Sequence, residues 1–299
     1  MQSEKATLLY QDGFIPSPNE DEENFEARVN ARLSWSRKLW KEDLILDDDK
    51  ITLPFEQRFP EEILSDGGSP VKQRYGCLPR WVPAYHSNRG LPFLTGGMAV
   101  ELSSPDQPQQ VFFQLKELYK SKENWFIYPR EEILSHEMCH VVRFPLKSHR
   151  YEETLAYSVS GSAFRRWLGG ALLSPLDNLL LLAGIISWIS VDMLQLIGLE
   201  SIFLPWLLRS LLPLLIILGL TRNIRIRREL KLATLQLEKI FSTKVSVRVI
   251  FCLCDEEIGW LAQVRAKDDL IQWWKELPGF RGDFLRKVFP LIEATPLGR

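Results

Sequence analysis

The chain has 299 residues, enough for one or two domains, and its 37 basic and 38 acidic side chains leave a net charge of -1. This balance argues against a nucleic-acid partner, because proteins that bind nucleic acids present an excess of Lys and Arg. The four cysteines are too few for a disulfide-stabilised secreted scaffold and are typical of a reducing compartment.

The N-terminal region combines a polar start with a loop-rich stretch. Residues 1 to about 20 are predicted to be disordered, and they lack the apolar core of a cleavable signal peptide. An amphipathic helix is predicted next from apolar side chains that share one helical face: Phe25, Val29, Leu33 and Trp40. From Gly67 to Gln110, frequent prolines and glycines predict extended loops rather than helices. Three short apolar runs then predict strands: Met98 to Leu102, Val111 to Leu115 and Trp125 to Tyr128.

The run from His136 to His140 reads HEMCH, an HExxH sequence, on a predicted helix from about 130 to 143. Positions 136 and 140 lie one turn apart on the same helical face, so both imidazoles can reach one Zn²⁺ ion. Glu137 then lies beside the metal-bound water and can act as its general base. The alternative is a buried helix that carries two incidental histidines.

The surroundings of this run resemble the longer signature of zinc metallopeptidases. Residues 133–142 contain no charged side chain other than Glu137, which would let the helix be buried with only its metal-binding face open. In such enzymes a sheet precedes the metal helix, and its edge strand can hold an extended peptide by backbone hydrogen bonds. The resemblance therefore implies a zincin-like fold and a peptide substrate.

A catalytic zinc site needs a third protein ligand and leaves the fourth position for water. The metzincin extension does not match, because Arg143 and Leu146 stand where a glycine and a histidine would be. A second helix is predicted to begin near Tyr151, and its Glu153-x-x-Ala156 pattern resembles the ligand helix of gluzincins. This resemblance implies Glu153 as the third ligand. Three alternatives remain open: Glu152, His149 and Asp177.

Asp177 follows Leu176, as in the Leu-Asp-Gly ligand motif of site-two intramembrane proteases, but Asn178 replaces the glycine. A local role also explains this segment, since Pro175 and Asp177 suit the first turn of a helix. Tyr157, one turn beyond Glu153, is a candidate to stabilise the oxyanion of a tetrahedral intermediate.

Two apolar runs, 178–199 and 201–220, each have the length of a membrane span and are separated only by Glu200. They predict a transmembrane helical hairpin in contact with lipid. Asp192 and Arg209 fall at the same depth of this hairpin and are predicted to form an ion pair. Basic residues flank both outer ends, so the positive-inside rule predicts that both termini and the active site are cytoplasmic.

After the hairpin, the sequence predicts a helix to about residue 241, an alternating strand from Val245 to Val249, and two further helices near 255–266 and 268–277. Cys252 and Cys254 are interpreted as a core pair on one strand face. This region carries no catalytic motif.

Together these patterns predict an α+β fold with four regions: a disordered N-terminus (1–20), a zincin-like metallopeptidase domain (21–170), a transmembrane hairpin (174–221) and a cytoplasmic α/β tail (222–299). The predicted function is a membrane-anchored zinc metallopeptidase that cleaves a protein or peptide substrate. The alternative is a non-catalytic membrane scaffold with a structural or remnant zinc site.

Overall fold

A computed structural model describes residues 1–39, 42–46, 51–92, 95–104, 107–125, 128–171, 175–196 and 203–291. Trp40 and the predicted turn at Glu200 lie outside these ranges. Within them the protein is mainly helical, so the predicted α+β class is wrong. The correction arises because several segments that the sequence favours as loop or strand form helices.

Two helices open the chain: α1 (Ser3–Gln11) and α2 (Glu22–Leu39). The first lies where disorder is predicted, and it is ordered by tertiary packing. Ala6 and Tyr10 are buried, and the Tyr10 ring packs edge-on against Phe289, with 5.0 Å between ring centroids. Such contacts between distant parts of the sequence cannot be inferred from local polarity. The second helix buries Phe25 and Val29, as its apolar spacing predicts.

The loop-rich middle region also holds short regular elements. Strands β1 (Leu44–Leu46) and β2 (Ile51–Leu53) form an antiparallel pair, and helices α3 (Glu61–Gly67) and α4 (Ser69–Tyr75) follow. The expectation of loops from Gly67 onward is therefore wrong for α4, which starts with a proline in its first turn and ends at a left-handed Gly76. Both features are compatible with a short helix.

A three-stranded sheet contains β3 (Ala84–His86), β4 (Gly97–Ser104) and β5 (Gln107–Leu115) in the order β3-β5-β4. Strand β5 is central, parallel to β3 and antiparallel to β4, so β4 has one unpaired edge within the sheet. The predicted strands at 98–102 and 111–115 are confirmed. The third predicted strand, Trp125 to Tyr128, is instead a small antiparallel pair of β6 (Asn124–Trp125) and β7 (Tyr128–Pro129), and residues 126 and 127 lie outside the described ranges.

Helix α5 (Arg130–Arg143) carries the HExxH run and matches the predicted helix. Its buried side chains face the core on one side: Leu134, Met138, Cys139, Val141 and Val142. A 3₁₀ turn (Phe144–Leu146) ends it, and α6 (Glu152–Tyr157) and α7 (Ala163–Leu168) follow. The predicted second helix is thus confirmed, and it packs against α5.

Helices α8 (Pro175–Leu196) and α9 (Phe203–Leu237) lie side by side. The predicted Asp192–Arg209 ion pair is confirmed, and Gln195 also accepts a hydrogen bond from Arg209. Across the ranges that the structure describes, no helix is both long enough and apolar enough to cross a membrane. This finding corrects the prediction of a two-span transmembrane hairpin over 174–221, and with it the predicted cytoplasmic topology of an integral membrane protein.

The C-terminal region is helical throughout its described part, with α10 (Thr243–Phe251), α11 (Asp255–Leu261), α12 (Lys267–Glu276) and α13 (Gly279–Val288). The strand predicted from Val245 to Val249 is wrong. Ser242 caps the N-terminus of α10 by accepting from the Val245 N–H, and Ser246, Val249 and Ile250 form its buried face at helical spacing. The cap and this burial outweigh the β propensity of the alternating valines. The α/β tail is therefore corrected to an all-helical region.

Candidate metal centre

Three side chains from α5 and α6 converge on one point: His136, His140 and Glu153. The two Nε2 atoms of the histidines lie 3.0 Å apart. Glu153 places one carboxylate oxygen 3.4 Å from the Nε2 of His136 and the other 3.5 Å from the Nε2 of His140. These three residues form a group that could hold a metal ion.

The spacing of the donor atoms can be compared with a metal of known geometry. Zinc bonds of 2.0–2.1 Å in a tetrahedron separate neighbouring ligand atoms by roughly 3.3 Å. The three distances, 3.0, 3.4 and 3.5 Å, bracket that value. The side chains are also partly open, with 14% to 26% of their surface exposed, so a fourth ligand from solvent can reach the group.

The structure separates Glu152 from Glu153, the two adjacent candidates for the third ligand. Glu152 accepts a hydrogen bond from Nδ1 of His140 at 3.1 Å, on the opposite side of the ring from Nε2. Its other oxygen accepts from Nε of Arg143 at 2.7 Å. A carboxylate in this position fixes the tautomer and orientation of a metal-binding imidazole.

The other two alternatives lie elsewhere. Asp177 is paired with Arg222 at 2.8 Å, and His149 is an exposed residue whose backbone N–H donates to Asp255 at 2.8 Å. Neither belongs to the group of possible metal ligands found among the described residues.

Glu137 is buried between α5 and the edge strand β4. One carboxylate oxygen accepts a 2.7 Å hydrogen bond from the backbone N–H of Ala99. Two glycines allow this close approach, since a Cβ at Gly96 would lie 2.4 Å from Ile133 and a Cβ at Gly97 would lie 2.7 Å from it. Gly96 and Gly97, which lie in the region predicted to form loops, thus allow β4 to pack closely against α5.

Burial shifts the proton affinities of the motif. It raises the pKa of Glu137 above the usual value of a glutamate, and the neighbouring imidazoles and the Ala99 N–H only partly offset this effect. For His140, burial alone lowers the pKa, but the hydrogen bond and the charge of Glu152 outweigh it and raise the pKa to about 9. A carboxyl group with a raised pKa is better matched to proton transfer near neutral pH than an ordinary glutamate.

Tyr157 packs on the metal-binding group. Its ring centroid lies 4.4 Å from that of His136, and a Cβ at Gly169 would lie 2.1 Å from the tyrosine ring. Burial, together with the charge of Glu153, raises the pKa of Tyr157, so its hydroxyl keeps its proton. Gly169 therefore makes room for the aromatic ring that covers His136.

Two residues that support this group, Arg143 and Asp255, were not among the predicted site residues. Arg143, which the sequence presents only as a departure from the metzincin motif, is almost fully buried and links Glu152 to the C-terminal region. Its one detectable signal is a basic residue that directly follows the uncharged stretch after Glu137. Asp255 accepts hydrogen bonds from residues 148–150, and its sequence context shows only the acidic first turn of a helix.

The chain matches no protein-family model, no curated protein and no solved structure.

Proposed function

We propose that the chain is a zinc-dependent metallopeptidase, with His136, His140 and Glu153 as metal ligands and Glu137 as the general base. The proposal rests on the convergence of His136, His140 and Glu153, whose ligand atoms lie 3.0–3.5 Å from one another. The buried Glu137 lies on the same helix as the two histidines. A structural metal site requires only its ligands, whereas a hydrolytic site also requires a general base such as Glu137. The proposal includes a gluzincin-like ligand set, in which a glutamate is the third zinc ligand.

The donor set favours zinc over other metals. Two imidazole nitrogens and one carboxylate oxygen suit Zn²⁺, whereas Mg²⁺ and Ca²⁺ prefer oxygen ligands throughout. When bound at such a group, zinc supplies Lewis acidity and lowers the pKa of a coordinated water from about 15.7 toward about 7.

Glu137 supplies the proton transfer in this proposal. The oxygen that Ala99 holds is fixed in place, which leaves the other carboxylate oxygen to accept a proton from the attacking water. The same oxygen then delivers that proton to the leaving amine.

The sheet supports a peptide as substrate. The Ala99 N–H donates to Glu137 rather than to β5, so the edge of β4 that faces away from β5 lies beside the helix that carries His136 and His140. An extended peptide could add to this edge by backbone hydrogen bonds, which would bring a scissile carbonyl near the metal. Tyr157, which keeps its proton, could donate to the oxyanion that forms there.

The test combines metal analysis with a broad peptide-library assay on the full chain. Wild type should hold about one Zn²⁺ per chain and cleave peptides. Glu137→Gln should keep zinc and lose at least roughly 100-fold in hydrolysis, whereas His136→Ala and His140→Ala should lose both. Zinc without hydrolysis of any peptide, and without a solvent-accessible coordination position, would favour a structural site. Hydrolysis that survives Glu137→Gln would contradict the mechanism.

A further inference from the structure

The segment that joins the two ligand helices is held by a carboxylate from the C-terminal region. Asp255, at the start of α11, accepts hydrogen bonds from the Ser148 hydroxyl, from the backbone N–H of His149 at 2.8 Å and from that of Arg150 at 2.9 Å. These three donors lie between His140 and Glu153 in the sequence. A single side chain therefore accepts hydrogen bonds from three consecutive residues of the short connection.

This connection contains a strained residue. Lys147 has a backbone φ of 49°, in the left-handed region, where a residue with a Cβ is disfavoured. Such a conformation persists only where the surrounding structure enforces it. The three bonds to Asp255 begin at the very next residue, Ser148.

A second contact joins the same two parts of the chain. Arg143, at the end of α5, donates to the carbonyl oxygen of Phe251 at 2.5 Å and to that of Leu253 at 3.3 Å. The Nε of Arg143 donates a hydrogen bond to one oxygen of Glu152, and the other oxygen of Glu152 accepts from Nδ1 of His140. Residues 251–255 thus contact the connection between α5 and α6 at both of its ends: at Arg143, where α5 ends, and at residues 148–150, before α6 begins.

From this arrangement we infer that Asp255 is a positioning residue of the metal centre: through residues 148–150 it fixes Glu153 on α6 relative to His140 on α5. The inference rests on the metal site of the proposed function but not on peptidase activity. It assigns the C-terminal helical region an indirect part in metal binding, since that region contributes no ligand among the described residues.

The test measures Zn²⁺ affinity of the full-length chain by competition with a chelator. Asp255→Ala should weaken Zn²⁺ binding roughly 10- to 100-fold, the usual effect of losing a residue that orients a ligand. Asp255→Asn, which keeps one acceptor oxygen, should restore part of the affinity, and Ser148→Ala should have a smaller effect because it removes one bond of three. Glu256→Ala is the matched control: it removes an exposed carboxylate from the same helical turn, and its affinity should equal that of wild type.

A general loss of stability must be separated from a change at the site. The visible spectrum of the Co²⁺-substituted protein reports ligand geometry, and we expect it to change in Asp255→Ala but not in Glu256→Ala. If Asp255→Ala does not fold, the graded series of Asp255→Asn and Ser148→Ala decides the question. Wild-type affinity and spectrum in all Asp255 and Ser148 variants would overturn the inference and leave the proposed function intact. A wild-type chain that binds no Zn²⁺ would overturn both.

Discussion

Glu152 lies on the far side of the His140 ring from the metal-binding group, with its oxygen 3.1 Å from Nδ1. Glu153, the next residue, faces the Nε2 atoms of both histidines. Adjacent residues of a helix point in directions about 100° apart, because the helix has 3.6 residues per turn. Two neighbouring carboxylates can therefore contact one imidazole from opposite sides, one at Nε2 and one at Nδ1.

The first prediction separates these two roles. Glu153→Gln should lose most bound Zn²⁺, because it removes a charged ligand oxygen. Glu152→Gln should keep zinc but bind it roughly 10- to 100-fold more weakly, because a neutral amide oxygen orients the His140 ring less strongly than a carboxylate and lacks the charge that pairs with Arg143. Chelator competition measures both, with Glu131→Gln, an exposed position of α5, as the control. If Glu152→Gln lost the metal and Glu153→Gln retained it, the assigned ligand would be wrong.

The second prediction concerns the backbone bond that holds Glu137. Ala99→Pro removes the N–H that donates to Glu137 and leaves a buried carboxylate oxygen unpaired, at a cost of roughly 1–3 kcal/mol in the free energy of unfolding. Proline is tolerated on an edge strand where the N–H points away from the ladder. We expect zinc to be retained and peptide hydrolysis to fall.

Ala99→Ser is the control for this change, since it keeps the N–H and should behave like wild type. Chemical denaturation and steady-state assays on the three proteins provide the measurement. Unchanged stability and unchanged hydrolysis in Ala99→Pro would show that the Ala99 bond contributes nothing to Glu137.

The third prediction uses two glycines close together in sequence. A methyl group at Gly169 would lie 2.1 Å from the Tyr157 ring, whereas one at Gly161 would meet no atom within 4 Å. Gly169→Ala should therefore lower the free energy of unfolding by about 1–3 kcal/mol, the usual range for overpacking, and displace the ring that covers His136. Gly161→Ala should be close to neutral. Equal melting temperatures for the two variants would contradict the packing described here.

The fourth prediction concerns pH and a buried ion pair. Glu257 accepts two hydrogen bonds from Arg281, at 2.7 and 2.8 Å. Burial alone would raise the pKa of Glu257, but Arg281 and the Cys254 N–H outweigh it and hold the pKa below its usual value. A carboxyl group with a lowered folded-state pKa stabilises the protein above its unfolded pKa, and this stabilisation is lost as the pH falls through the folded-state value.

Glu257→Gln should therefore be less stable than wild type at pH 7, by about 3–5 kcal/mol for breaking a buried pair. The difference should shrink as the pH falls below about 4.5, where the wild-type carboxylate also becomes protonated. Urea unfolding from pH 7 down to about 3 measures this. A gap between the two proteins that stays constant over this range would show that Glu257 is not the group that titrates.

The sequence predicted the elements whose signal is local. Helix α5 follows from Pro129 at its cap, the acidic pair Glu131 and Glu132 in its first turn and Pro145 beyond its end. Strands β4 and β5 follow from short apolar runs, and the pairing of His136 with His140 follows from helical spacing, whereas Glu153 is implied by the resemblance of its helix to the ligand helix of gluzincins. Each of these depends on neighbours within about a dozen residues.

The errors occur where distant contacts decide the structure. The polar start of α1 gives no hint that Tyr10 packs on Phe289, nearly the whole chain away. The alternating valines of α10 favour a strand until the Ser242 cap and the burial of Ile250 are known. For the same reason the role of Asp255, more than a hundred residues after Ser148, could not be predicted from the sequence.

Helix α9 is connected by hydrogen bonds to the residues that precede the ligand helix α6. Its 35 residues, which include Pro213 inside the helix, extend over roughly 50 Å, and its second half is buried at Ile226, Ala233 and Leu237. In that half, Glu229 accepts hydrogen bonds from Arg150 at 2.6 Å and from the Tyr151 hydroxyl at 2.9 Å, immediately before the ligand helix α6. Glu229 therefore links the second half of α9 to the two residues directly before the helix that carries Glu153.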